Sequence, residues 1–109
     1  MKYAARVDAN QLATINSFKA AMPDASVYDA SACGEGFPDL VVGWRGRNYL
    51  FEVKNPDVRP SDRKLTEPQQ AFHGSWQGQV HVVHSAAEML AIMLRIEAGI
   101  PVKQANPNL

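Results

Sequence analysis

Two short segments in the middle of the chain carry residue types suited to metal-assisted hydrolysis. Pro38-Asp39 opens the apolar run Leu40-Val41-Val42, and Glu52-Val53-Lys54 follows a second such run, Tyr49-Leu50-Phe51. Hydrolysis of a phosphodiester requires an activated water and a counter-charge for the negative charge that develops in the transition state. A hard cation such as Mg²⁺ supplies both, and it takes one or two carboxylates while keeping several waters. Asp39 and Glu52 are suitable carboxylates, with the Val53 carbonyl as a further oxygen, and Mn²⁺ would substitute for Mg²⁺. Lys54 would orient the attacking water or stabilise the transition state.

Each fragment alone is bland. Pro-Asp before a strand is a common turn, and Glu-Val-Lys is a common exposed strand pattern. The elements that must position them give the pair its weight. Residues 39–44 and 47–53 are rich in β-branched and aromatic types, and only Arg45-Gly46 separates them, the length of a tight hairpin turn. If Trp44 pairs with Arg47, paired indices sum to 91 and Asp39 stands opposite Glu52 on one face, with Cβ atoms about 4.5–5.5 Å apart. Lys54, two residues on, shares that face. A three-residue loop would shift the pairing by one and need a bulge to restore it. The rest of that face, Val41, Gly43 and Leu50, is apolar or small and is expected to lie under a helix.

Around this hairpin the periodicity predicts three helices and two further strands. Over residues 10–22, Leu12, Ile15, Phe18, Ala21 and Met22 recur at helical spacing, with Asp8 or Asn10 as N-cap and Pro23 as a stop. Residues 26–29 read as a short strand, and residues 30–36 as a loop. After a charged, proline-containing loop over 55–65, Thr66 and Gln69 have capping-box spacing and open a second helix that ends at Gly78. Residues 79–84 form a strand, and Ser85 with Glu88 opens a third helix that stops at Gly99. The order αβββαβα implies an α/β fold, with helices flanking a mixed central sheet. At 109 residues the chain holds one domain, over 1–100, with a flexible tail over 101–109.

Bulk composition excludes more than it selects. No apolar run approaches the roughly 20 residues of a membrane span, and no signal-peptide core follows Met1. A single cysteine, Cys33, cannot form an internal disulfide, so the expected compartment is cytoplasmic. Eleven basic residues balance eleven acidic ones, and net charge gives no argument for a nucleic-acid partner. Their distribution does, because six basic residues (Arg45, Arg47, Lys54, Arg59, Arg63, Lys64) fall in one 20-residue stretch with only three acids. Arg59, Arg63 and Lys64, in a loop beside the carboxylates, are the better candidates for phosphate contacts. Arg45 and Arg47 follow them, and plain solvation is the competing explanation.

Taken together, Gly36-Phe37-Pro38-Asp39-Leu40, Glu52-Val53-Lys54 and Leu65-Thr66-x-x-Gln69 resemble the virus-type replication-repair (VRR-NUC) branch of the PD-(D/E)xK nucleases. The resemblance covers about residues 6 to 90. It implies a restriction-endonuclease-like core, with Asp39, Glu52 and the Val53 carbonyl as metal ligands, Lys54 as the catalytic lysine and Gln69 projecting into the site. It further implies a DNA substrate, often branched or flapped, in replication, repair or recombination, in a bacterium or a phage-infected cell, and homodimers among small members. The family places a glutamate on its first helix, where this chain has Gln11. Gln11 or Asp8 would then complete the metal site, although capping is a simpler role for Asp8. The alternative is a weak or inactive nuclease fold that binds DNA without cutting it.

Other candidates read as structure. His73, His81 and His84 lack zinc spacing with Cys33, and His81 and His84 are expected at the surface. Cys33 is a small buried or loop residue, Met89 and Met93 are helical core, and Trp44 serves packing or a dimer contact.

Overall fold

The computed structural model describes residues 2–59, 61 and 64–102, with side chains from residue 10 onward. The elements follow in the order α1 (Lys2–Ala21), β1 (Ser26–Asp29), β2 (Leu40–Trp44), β3 (Arg47–Val53), α2 (Glu67–Ser75), β4 (Val80–Val83) and α3 (Ala86–Glu97). Arg63 and residues 103–109 of the expected tail lie outside the described residues.

The four strands form one mixed sheet in the order β1-β2-β3-β4. β1, β2 and β3 run antiparallel, and β4 joins β3 in parallel after crossing over through α2. The β2–β3 turn is the two-residue one that the spacing predicts. Arg45 (φ 51) and Gly46 (φ 77) both take positive φ, as a type I′ hairpin turn requires. Trp44 pairs with Arg47 and Leu40 with Phe51, the register in which paired indices sum to 91.

Alternation along the strands sends two sets of side chains to two layers. Leu40, Val42, Trp44, Tyr49, Phe51, Val53 and Val83 pack with Ile15, Phe18 and Met22 of α1 and with Met89 and Met93 of α3. Trp44 is therefore a core residue. On the opposite face Glu52 meets α2, whose Gln69 hydrogen-bonds to it. His81 corrects the expected surface position: it is buried on the core side beside Phe51, and its Nε2 pairs with Gln79 Oε1 at 2.8 Å. The Gln79 amide satisfies the polar edge of an otherwise apolar site, which makes the burial tolerable.

The helix ends show which capping signals act. Thr66 forms a complete capping box with Gln69, and Ser85 accepts from the Glu88 amide. The Glu88 carboxylate instead reaches the His84 amide and ring, so the second box is only half formed. α3 is followed by Gly99 at φ 76, as expected of a helix-terminating glycine. α1 begins earlier than predicted. It runs through Asp8 and Asn10, so neither caps it; the added turns contain Ala4, Ala5 and Arg6, all favourable helix formers. No helix among the described residues is long and apolar enough to cross a membrane.

Candidate active site

The site gathers where β2 begins and β3 ends. The hairpin register, continued by one residue beyond Leu40–Phe51, sets Asp39 across from Glu52. Asp39 Oδ2 accepts from the Val53 amide at 2.8 Å, and its carbonyl accepts from Ala30 at 2.7 Å, so its backbone and side chain are both fixed. Lys54 follows directly on β3, and its N–H donates to the Val83 carbonyl at 2.9 Å. In a trans peptide the C=O points opposite the N–H. The Val53 carbonyl is thereby turned away from β4 and toward the strand that carries Asp39.

Gln69, the third residue of α2, ties these groups together. Its Oε1 accepts from Lys54 Nζ and from the Thr66 amide, both at 2.9 Å, while its Nε2 donates to Glu52 Oε2 at 3.2 Å. One side chain thus caps the helix and braces the site. α2 can approach because residue 36 is glycine. Gly36 has φ 82, and a Cβ there would lie 2.2 Å from the Pro68 carbonyl oxygen, well inside any real contact.

The electrostatics are those of crowded carboxylates. Glu52 is only 2% exposed, and its Oε1 has no hydrogen-bond partner. Burial, then the Asp39 charge, push its carboxyl up to about 9, against a smaller opposing pull from Lys54. Lys54 Nζ stands 3.9 Å from Glu52 Oε2 with its side chain largely buried. An orphaned carboxylate oxygen, a second carboxylate opposite and a carbonyl turned the same way form an all-oxygen set that fits a hard divalent cation. No group of three or more His, Cys, Asp or Glu side chains that could hold a metal ion occurs among the described residues.

The remaining predicted residues divide. Gln11 is buried and donates to Asp29 Oδ1 at 2.9 Å, on the α1 side of the sheet. Asp29 also accepts from the Ser31 amide and hydroxyl, and these bonds hold its carboxyl below the usual range. The side chain of Asp8 lies outside the described residues. Arg59 and Lys64 are exposed in the β3–α2 connection, Lys64 two residues before the Thr66 cap. Arg45 and Arg47 are not near it. They sit at the far end of the five-residue strand β2, about 17 Å away, where both pair with Glu97 and Arg45 also covers Trp44.

His73, set aside in the sequence for want of zinc spacing, has a place beside the site that was not foreseen. It follows Gln69 by one helical turn, it is buried, and its Nε2 has no partner. Burial, then the Lys54 charge, hold its imidazole below the ordinary value. The i, i+4 spacing from Gln69 was the available signal. A shallow groove of about 330 Å³ lies between α1 and the start of α3, lined by Ala13, Thr14, Ser17, His84 and Ser85. It holds no converging charges, unlike the end of the β2–β3 hairpin where Asp39, Glu52 and Lys54 meet.

Comparisons of the chain with protein-family models, with curated proteins and with solved structures find no match.

Proposed function

We propose that this protein is a metal-dependent nuclease with a restriction-endonuclease-like core, hydrolysing phosphodiester bonds in structured or branched DNA. The observation that carries the reading is the Asp39–Glu52 pair, half-buried Asp39 opposite buried Glu52, with an unpartnered Glu52 oxygen and Lys54 beside it. Two crowded carboxylates at the rim of a core are unfavourable for folding alone, and a divalent cation relieves them. The αβββαβα order and the sequence resemblance to the VRR-NUC nucleases support the same reading.

In this mechanism Asp39, Glu52 and the Val53 carbonyl would hold Mg²⁺, or Mn²⁺ in its place. When bound, the cation lowers the pKa of a water and offsets charge on the phosphate. Gln69 fixes the Lys54 ammonium by accepting its hydrogen bond. Lys54 then sets a positive charge beside the scissile phosphate, pre-oriented for the charge that develops there. Lys64 and Arg59 contact the flanking backbone.

A second reading, a nuclease fold that binds DNA without cutting it, is favoured by one observation. Gln11, at the position of the family's first-helix acid, brings no charge and is engaged by Asp29. Labelled single strand, duplex, flap and four-way junction, incubated in Mg²⁺, Mn²⁺ or EDTA, separate the two. The nuclease reading expects metal-dependent cutting, reduced at least about 100-fold in Lys54→Ala and in Asp39→Asn. Binding without cutting by the wild type, or full cutting by both variants, overturns it.

A further inference from the structure

Three aromatic rings lie in sequence from the site outward and have no part in the chemistry above. Phe37, two residues before Asp39, meets Phe72 edge-on with ring centroids 5.2 Å apart. Phe72 in turn stacks on Trp76 at 5.0 Å and 19°. Phe72 and Trp76 are three and seven residues beyond Gln69, so they share its stripe of the helix surface.

Trp76 is held in a manner unlike that of a core tryptophan. Phe72 covers one face of its indole, and Gly78 packs against its edge, where a Cβ would come within 2.9 Å of Nε1. Yet 45% of the residue remains exposed. The ring is thus braced on one face and at one edge, with a large surface still open. The polar Gln77 beside it is exposed too. From Gln69 to Trp76 is about 10 Å along the helix, roughly three base-stacking intervals of a single strand.

We infer that Trp76, backed by Phe72, is a stacking platform for an unpaired base of the strand being cut, so that the substrate class is DNA with a single-stranded arm. The inference rests on the nuclease reading and specifies its substrate. A flat π-face suits any base, and stacking on a pre-fixed ring loses little conformational freedom on binding. Continuity through Phe37 to Asp39 sets the platform on the path that a strand would take from the carboxylates along α2.

The test uses the full chain carrying Lys54→Ala, which prevents cutting, and compares labelled duplex with a single-stranded arm against blunt duplex of the same length. The parent should prefer the armed duplex. Trp76→Ala should lower that preference on the order of 5- to 100-fold, while Trp76→Phe keeps most of it. With Trp44→Phe added, Trp76 is the sole tryptophan, and its fluorescence should be quenched saturably by oligothymidine. If the parent binds DNA but shows no preference, or if Trp76→Ala retains it, the platform is overturned and the nuclease reading stands. Failure of the parent to bind any DNA overturns both. Equal losses on both duplexes, with a drop in sedimenting mass, also overturn the platform and assign the ring to self-association.

Discussion

Asp39 and Glu52 oppose each other across the open end of the β2–β3 hairpin, one accepting the Val53 amide and the other buried with an unpartnered oxygen. The relationship follows from a two-residue turn at the hairpin's other end. Arg45 and Gly46 at positive φ fix the register, and the register sets one carboxylate against the other. Geometry chosen for its turn chemistry therefore sets up an electrostatic conflict that a cation would resolve.

That conflict predicts a pH-dependent stability in EDTA. The Glu52 carboxyl is raised from 4.5 to about 9 by burial and by Asp39. Because the folded value lies above the unfolded one, the stabilising share of protonated Glu52 is whole below pH 4.5 and is lost as pH rises through about 9. The slope is at most ~1.4 kcal/mol per pH unit. Glu52→Gln should therefore be the more stable protein at pH 8, with the gap closing toward pH 5. Adding Mg²⁺ should raise the melting temperature of the wild type and not of Glu52→Gln. Thermal melts at both pH values check this, and an unchanged gap between them would contradict it.

His81 predicts the opposite limb. Burial, then the nearby His73, lower its imidazole from 6.5 to about 4. A depressed value means that the neutral ring's contribution is present above pH 6.5 and is lost as pH falls through about 4, by up to ~3 kcal/mol. In an NMR titration of the folded protein the His81 ring should keep its neutral shifts at pH 5.5. An ordinary midpoint near 6.5 would show that the ring is not enclosed beside Phe51 as described.

What the sequence disclosed and withheld follows from the range of the interactions. The hairpin register, the Thr66 and Ser85 caps and the stop at Gly99 depend on residues a few positions apart, and all were legible. The burial of His81 depends on β4 lying parallel to β3, a pairing made through a crossover that no local pattern specifies. The basic stretch misled for a related reason. Residues adjacent in sequence are sent apart by a hairpin, so Arg45 and Arg47 share the stretch of Lys64 and not its place. Phe37 and Phe72 show the converse, a contact between distant segments made possible by Gly36.

Gln69 allows capping to be separated from chemistry. Its Oε1 serves both the Thr66 amide and Lys54, and its Nε2 serves Glu52. Gln69→Ala should cost about 1 kcal/mol of stability through the lost cap, and cutting as well. Gln69→Glu keeps an acceptor for Thr66 and Lys54 but turns a carboxylate on Glu52. Its fold should melt close to the wild type while cutting falls at least about tenfold. Chemical denaturation alongside single-turnover cleavage reads both, and normal cutting by Gln69→Glu would remove Gln69 from the site.

The final prediction concerns where DNA runs. Lys64 is exposed in the connection that leads into α2, two residues before Thr66, whose amide donates to Gln69. Arg45 and Arg47 are tied to Glu97 at the opposite end of the hairpin. A phosphate contact releases counterions, so its removal lowers the salt dependence of binding by about one unit in the slope of log K against log salt. Lys64→Ala should lower that slope by about this much on every DNA tested, because a backbone contact reads no sequence. Arg45→Ala should leave it within error, since that guanidinium already covers Trp44 and meets a carboxylate. Binding isotherms at several salt concentrations measure both slopes. The reverse pattern, with Arg45 controlling the slope and Lys64 silent, would put the duplex on the turn end of the hairpin and away from Asp39 and Glu52.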